Sequence, residues 1–337
     1  MIEINLKTYQ IEIEENLIEK LSSKIKKIYT HQKLFIITDE KVDQLYHQKM
    51  VDILKDFDLS WSVIKPGEAS KSLETYQKTI SDLIDKGIKR NHLIIALGGG
   101  VVGDLAGFIA ATLYRGLPYI QIPTTLLAQV DSSIGGKTGI DLKEGKNLIG
   151  AFYDPKYVLI DPTFLQTLEP KEYANGIAEM LKAGLIGNPD LYEHIKNKQM
   201  ITSKEIAMAI EVKKEVVDID PYDQKERMFL NFGHTFGHAI EKKHHYETYK
   251  HGEAISYGML MALEIGIKKK LTPPFLYDEV KNILISYKLI EEPVLKKENY
   301  IDLIYHDKKN IAGNLNFIAI TKIGKPLIFT LKEADIT

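Results

Sequence analysis

Apolar and polar residues alternate through the first thirteen positions: Ile2, Ile4 and Leu6, then Tyr9, Ile11 and Ile13. A two-residue period is that of a strand with one covered face. KLFIITDEKV is a continuous apolar run ending at Asp39, the pattern of a buried strand, and WSVIKPGEASKS predicts another strand running into a loop. TYQKTISDLIDKGI changes to helical spacing and stops at Gly87. HLIIALGGG is then an apolar strand entering glycines, VVGDLAGFIAATLYRG a helix of small residues, and YIQIPTT a further strand. Strands alternating with helices predict an α/β fold with a parallel sheet.

The texture changes after about residue 165. KEYANGIAEMLKAGLI, SKEIAMAIEVKKEVVDI, GHTFGHAIEKKHH and GEAISYGMLMALEIGIKKK all carry helical periodicity, and LNFIAITKIGKPLIFTL is the one late β-like stretch. An α/β domain over residues 1–165 and a mainly α-helical domain over 166–337 are expected. The boundary is placed near DPTFLQTLEP, where Pro162 and Pro170 punctuate the chain.

Composition narrows the chemistry. A chain of 337 residues is long enough for two cores. The absence of cysteine excludes disulfides, thiolate catalysis and sulfur-ligated metals, so any metal must use His, Asp or Glu, which suits zinc or another divalent ion. A net charge of -2 points to neither nucleic acid nor an anionic membrane. MIEINLKTYQIEIEENL lacks a signal-peptide core, and no apolar run reaches the roughly 18 residues of a membrane span, so the cytoplasm is the expected location.

Three stretches carry candidate chemistry. ALGGGVVGDLAG holds Gly98-x-Gly100-x-x-Gly103 between a strand and a helix. Such a loop lets a pyrophosphate approach the backbone at a helix N-terminus. Yet it does not follow the first strand, and YIQIPTT ends without an acid for a ribose, so a tight turn with packing glycines is an equal reading. AQVDSSIGGKTGIDLKEGKNLIGAF offers Asp131, Lys137, Lys146 and Asn147 in what reads as one irregular polar connection, either an anion-binding loop or a solvated one. LNFGHTFGHAIEKKHHYETYKHGEA holds five of the ten histidines. His234 and His238 share a helical face, His251 precedes another helix, and His244 and His245 sit among lysines facing solvent. Glu179 and Lys182 place opposite charges in an apolar helix, as an ion pair or as part of a site. Spacing alone points to metal without selecting the ligands.

Read together, GGGVVGDLAGF, YRG, IQIPTTLLAQVDSSIGGKTGID, KNLIGAF, NGIAEMLKAGLI, LNFGHTFGHAIE, HGEA and DKKN resemble, in order and over nearly the whole chain, the 3-dehydroquinate synthase family. The resemblance implies a Rossmann-like NAD-binding domain, a helical domain, and an active site in the cleft between them. The implied fold relatives are other sugar-phosphate cyclases and the metal-dependent glycerol and alcohol dehydrogenases. It implies a divalent metal, zinc or cobalt, held by Glu179, His234 and His251. Implied NAD contacts are Asp39, Glu68, Lys71, Gly99, Gly100, Val101, Val102, Gly103, Asp104, Thr124, Thr125, Lys137, Lys146, Phe164 and Thr167. Implied substrate and catalytic contacts are Asp131, Lys137, Asn147, Lys182, Lys213, Arg227, Asn231, His238 and Lys308, the last preferred over Lys309. Arg115 matches an arginine that reaches the substrate phosphate of a neighbouring subunit, which implies a homodimer. The segment Asp220-Pro221-Tyr222-Asp223-Gln224-Lys225-Glu226-Arg227 departs from the family's Asp-Glu-x-Glu-x-Gly-x-Arg pattern while keeping the arginine.

The implied reaction is that of a carbon–oxygen lyase in the shikimate pathway. The sugar phosphate 3-deoxy-D-arabino-heptulosonate 7-phosphate is oxidised by NAD, loses phosphate, is reduced again and closes by an aldol step. NAD is regenerated. Lys137, Lys182, Lys213, Arg227 and Lys308 would face the substrate carboxylate and phosphate, giving a cationic site on a chain of net charge -2.

Overall fold

A computed structural model gives the structure of the chain and describes residues 1–220, 226–308 and 315–331. It forms two compact units. The first comprises Met1–Leu168 with Thr202–Ala207, the second Glu169–Ile201 with Met208–Thr337.

The first unit is built on a seven-stranded sheet. Its strands are β1 (Ile2–Asn5), β2 (Gln10–Ile13), β3 (Lys33–Asp39), β4 (Asp58–Ile64), β5 (Leu93–Gly98), β6 (Tyr119–Pro123) and β9 (Tyr157–Ile160). The spatial order is β1-β2-β9-β6-β5-β3-β4, parallel except for the β1–β2 pair. The alternation over residues 2–13 is a hairpin, not one strand: the chain reverses where Leu6 N donates to Tyr9 O at 3.0 Å. β5, β6 and β9 are buried at every position, as strands covered on both faces must be.

Alternate residues of β3 separate two cores. Leu34 and Ile36 pack with Leu21 and Ile25 of α1 (Leu21–Ile28) and Val42 and Met50 of α2 (Glu40–Ile53). Phe35 and Ile37 face the other way, toward Leu83 of α3 (Leu73–Asp85) and Leu105, Ala106 and Ile109 of α4 (Gly100–Thr112).

The sheet has a switch in winding direction. β3 leads through α2 to its outer neighbour β4, whereas β5 leads through α4 to β6 on the opposite side. The carboxyl ends of β3 and β5 flank this switch, the place where open α/β sheets bind ligands.

The polar stretch after β6 is not an irregular connection. Ala128–Ser132 forms a helical turn, and β7 (Lys137–Leu142) and β8 (Gly145–Phe152) form an antiparallel hairpin. Thr138 and Ile140 turn inward, and Ile140 joins the core that contains α4. Gly139 pairs with Gly150 at a spacing where a Cβ on Gly139 would lie 2.7 Å from Ile149 O. Glycines that read as loop residues are here the condition for close pairing.

The second unit contains α5 (Pro170–Ile186), α6 (Pro189–Lys196), most of α7 (Ser203–Ile219), α8 (His234–Lys243), α9 (His251–Lys268), α10 (Phe275–Ser286) and α11 (Ile301–Lys308). It also holds an antiparallel hairpin of β10 (Leu315–Lys322) and β11 (Lys325–Leu331). α5 is buried continuously from Ala174 to Ile186, and α9 from Ala254 to Leu263. Helices buried all round are core elements rather than surface ones. No helix among the described residues is long and apolar enough to cross a membrane.

Candidate functional site

Three helices of the second unit bring three side chains to one point. Glu179 lies within α5, His234 opens α8 and His251 opens α9. His234 Nε2 and His251 Nε2 each stand 3.5 Å from Glu179 Oε1. One donor atom from each of the three residues lies within 4.8 Å of the others.

Local sequence explains the convergence. Gly233 enters α8 with φ 81°, a left-handed turn that glycine adopts readily. α8 then approaches α9 so closely that a Cβ on Gly258 would lie 2.8 Å from Gly237 N. α9 starts without a Ser, Thr, Asp or Asn cap. Instead Asn175 of α5 reaches across, its Oδ1 accepting a hydrogen bond from Gly252 N, and Glu253 Oε2 accepts from Lys250 N at 2.6 Å. Asn175 and Glu179 are one turn apart, so a single face of α5 fixes the start of α9 and meets the histidine there.

The electrostatics are uneven. Burial alone would raise the Glu179 carboxyl, but the Lys182 ammonium, then His251 and His234, hold it well below the usual carboxylate range. Burial, reinforced by Lys182, keeps His234 well below the usual imidazole range. Burial also opposes charge on His251, but contacts with Glu179 and then Glu241 outweigh it and push the imidazole up to about 9. At pH 7 the ion-free cluster is thus carboxylate, neutral imidazole and imidazolium.

The donor set fits a divalent cation. Lys182 Nζ lies 2.5 Å from Glu179 Oε2, so the intrahelical ion pair exists. Even so, neither buried carboxylate oxygen accepts a hydrogen bond of acceptable geometry. A buried carboxylate with unused acceptor capacity beside two imidazole nitrogens is a donor set that a further positive centre would complete. The outer nitrogens of both histidines are engaged: Nδ1 of His234 donates to Phe232 O at 3.2 Å, and Nδ1 of His251 lies 3.4 Å from Glu241 Oε1. That leaves both Nε2 atoms to face Glu179, with the outer support typical of metal-bound imidazoles.

Other expected residues border this cluster. The His238 ring lies 5.4 Å from that of His234 and 6.4 Å from that of His251, and the residue is exposed. Lys213 is half-buried on α7, Arg227 is buried with its N–H donating to Asp220 Oδ2 at 3.2 Å, and Asn231 ends the short helical segment Glu226–Asn231. The Lys308 side chain, Lys309 and Pro221–Lys225 lie outside the described residues. His244 is not the solvent-facing residue expected from its lysine neighbours. It packs edge-on against Tyr249 at 4.9 Å and meets Tyr300 OH at 3.3 Å, because the end of α8 lies among aromatic side chains. Asn175 and Glu241 escaped the reading of the sequence. Asn175 begins the NGIAE stretch and Glu241 ends FGHAIE, so both were in view without a spacing that marks them.

In the first unit, Asp39, the glycine loop and Thr124–Thr125 end three adjacent strands. Asp39 ends β3, the neighbour of β5 in the sheet, and so stands beside the glycine loop where YIQIPTT offers no acid. It follows Thr38, which pairs with Leu97, and it caps α2 by accepting from Lys41 N and Val42 N. The loop's glycines are packed against the chain itself. A Cβ on Gly99, Gly100 or Gly103 would lie 3.0 Å from Thr125 Cγ2, 2.9 Å from Ser132 Oγ or 3.0 Å from Gln121 Oε1. Val101 and the buried Val102 continue the first turn of α4.

A polar network stands beside the loop. Buried Lys71 donates to Asp104 Oδ2 at 2.8 Å and to Asn147 Oδ1 at 2.5 Å. Glu68 Oε1 lies 3.8 Å from Lys71 Nζ and 3.6 Å from Lys146 Nζ. Burial would lower the Lys71 ammonium, but Asp104 and then Glu68 outweigh it and raise it. Asp131 is half-buried in its helical turn and Lys137 is exposed at the start of β7. Phe164 is a core residue, edge-on to Tyr46 at 4.8 Å, and Thr167 Oγ1 lies 2.5 Å from Tyr46 OH. Arg115 is exposed, with φ 64° between Tyr114 at 50° and Gly116 at 124°.

The family model described as 3-dehydroquinate synthase N-terminal matches residues 61–175, and that described as 3-dehydroquinate synthase C-terminal matches 176–310. The chain belongs to the 3-dehydroquinate synthase family. The 3-dehydroquinate synthase of Clostridium botulinum (strain Alaska E43 / Type E3) is 42% identical over 339 residues, covering 97% of this chain and 96% of that protein. Among solved structures, a 2-deoxy-scyllo-inosose synthase complexed with carbaglucose-6-phosphate, NAD+ and Co2+ has a TM-score of 0.86 at 26% identity, covering 99% of this chain and 98% of its own. An iron-containing alcohol dehydrogenase from Thermotoga maritima shares the fold alone, with a TM-score of 0.65 at 16% identity, covering 100% and 97%. The synthase family thus shares its fold with an iron-containing alcohol dehydrogenase.

Proposed function

We propose that the chain converts 3-deoxy-D-arabino-heptulosonate 7-phosphate to 3-dehydroquinate and phosphate, with NAD and a divalent metal, zinc or cobalt. The observation that carries the metal part is Glu179, a buried carboxylate whose Oε1 faces both imidazole Nε2 atoms and whose oxygens accept no hydrogen bond. Glu179, His234 and His251 would hold the cation. When bound, the cation supplies Lewis acidity toward a substrate hydroxyl and NAD supplies a reversible hydride acceptor.

The chain's own residues have separate tasks in this reading. Asp39, the loop from Gly99 to Asp104, and Thr124–Thr125 offer NAD an acid, backbone donors and hydroxyls at the switch in the sheet. Glu68, Lys71, Lys137 and Lys146 would fix it from the hairpin side. Lys182 is held beside Glu179 and can donate to a substrate oxygen near the cation. Lys213, Arg227, Asn231 and Asn147 would orient the carboxylate and phosphate. His238, exposed at the rim of the cluster, can donate a hydrogen bond or pass a proton on the phosphate side. Asp131 would orient a substrate hydroxyl or the nicotinamide.

A homodimer and a cytoplasmic location complete the proposal. Arg115 is exposed and, with Tyr114, is held at positive φ, strain of the kind that collects at functional sites, and this supports a role for it at a dimer contact. The decisive assay follows phosphate release from the heptulosonate phosphate alongside NADH absorbance, with metal removed and restored. Metal-dependent release without NADH build-up is expected. Stoichiometric NADH, or preference for another sugar phosphate, overturns the assignment.

A further inference from the structure

Glu241 is a buried carboxylate outside the three converging donors, noted above only as the neighbour of His251 Nδ1. It ends the second turn of α8, seven residues after His234, and is 3% exposed. Its Oε1 lies 3.4 Å from His251 Nδ1, while His251 Nε2 points to Glu179. The two histidines are thus treated differently: His234 Nδ1 is held by the backbone carbonyl of Phe232, His251 Nδ1 by an ionisable side chain.

We propose that Glu241 is a positioning residue for the metal centre, holding Nδ1–H of His251 so that its Nε2 lone pair faces the cation. This rests on the metal reading given above. A neutral imidazole has one N–H, and the group that accepts it decides which nitrogen is left to bind a metal. A carboxylate in that place also raises the basicity of the ligand nitrogen. His251 needs such a hold more than His234 does. It opens α9 and keeps 29% of its side chain exposed, against 12% for His234. Backbone hydrogen bonds fix the start of α9 through Asn175 and Glu253 but do not set the rotation of the ring.

The test is the affinity of the full-length chain for Zn2+ and Co2+, measured by chelator competition, with the Co2+ absorption spectrum recorded in parallel. Glu241→Ala should weaken Zn2+ binding about 10- to 100-fold and shift the Co2+ bands. Glu241→Gln should recover part of that loss, because its amide oxygen still accepts from Nδ1 as the Phe232 carbonyl does. The glutamine variant also keeps the test open should the alanine variant fail to fold. A Glu241→Ala affinity within twofold of the parent, or Glu241→Gln as weak as Glu241→Ala, overturns the positioning role and leaves the three-ligand centre standing. An unaltered chain that binds neither ion overturns both.

Discussion

The glycine loop after β5 and the carboxylate–imidazole cluster of α5, α8 and α9 stand in opposite relation to their surroundings. Around the loop, the chain completes itself. Thr125, Ser132 and Gln121 occupy the space that side chains on Gly99, Gly100 and Gly103 would need. The cluster is the reverse case: Glu179 is buried, and although Lys182 Nζ pairs with its Oε2, neither oxygen has a hydrogen-bond partner among the described residues. Glycines in a strand–helix turn are therefore compatible with a cofactor but are already accounted for by packing. A buried carboxylate that converges with two imidazole nitrogens is a donor set for something from outside the chain. In this molecule the feature with the plainer sequence motif carries the weaker structural argument for a ligand.

The largest effect should come from Glu179→Gln, which keeps the shape and removes the charge. Turnover should fall by at least about 10³-fold, corresponding to the several kcal/mol that a bound Lewis acid contributes. Phosphate release at saturating metal measures it. Retention of a tenth of the activity would reduce Glu179 to the partner of Lys182 and erase the contrast between the two regions.

Next comes the loop. Gly100→Ala should destabilise the chain by about 1–3 kcal/mol through crowding against Ser132. Adding Ser132→Ala should restore most of that, as read from denaturant midpoints. NAD affinity should stay lowered in the double variant, since the added methyl still stands where backbone must approach a pyrophosphate. If affinity returns with stability, packing is the loop's whole explanation.

The smallest effect is a proton. In the ion-free cluster His251 is pushed up to about 9, while Glu179 is held low and His234 neutral. Metal uptake at pH 7 should therefore release about one proton, falling toward none above pH 9, as calorimetry in buffers of different ionisation enthalpy would show. The sign for stability follows. The raised value of His251 favours the ion-free fold fully below its ordinary 6.5, and that contribution is lost as pH rises through about 9. Uptake without proton release at pH 7 would mean that His251 is not a ligand or is not charged.

Much of the fold was legible because its signals are local. The apolar run at β3, the all-buried β5 and the change to helical spacing after residue 165 each depend on neighbours a few positions apart. The turn at Leu6–Tyr9 shows in the sequence only as a one-residue phase shift at Lys7-Thr8, and the β7–β8 hairpin hid behind its polar and glycine content. Pairing across strands, not composition, decides both. The site divides in the same way. His234 and His238 share a face, and that spacing made them look like a pair, but the atoms that meet Glu179 come from His234 and His251. Helix crossings at Gly237 and Gly258 bring those residues together, and such crossings leave no period in the sequence. Only the resemblance to a family separated the two readings beforehand. The acid beside the glycine loop was sought on the following strand, whereas the sheet order places Asp39 there from β3, the neighbour of β5.

The three donors of the cluster are strung far apart along the chain, from Glu179 to His251, a span of 251 − 179 = 72 positions. A ribosome making roughly 5–20 residues per second delivers the carboxylate about 4 to 14 seconds before the last imidazole. Lys182, on the next turn of the same helix, emerges almost together with Glu179 and is the counter-charge at hand throughout that interval. Metallation that needs all three donors is therefore a late event in biogenesis, and the lysine that stays beside the carboxylate in the finished fold is also its earliest companion.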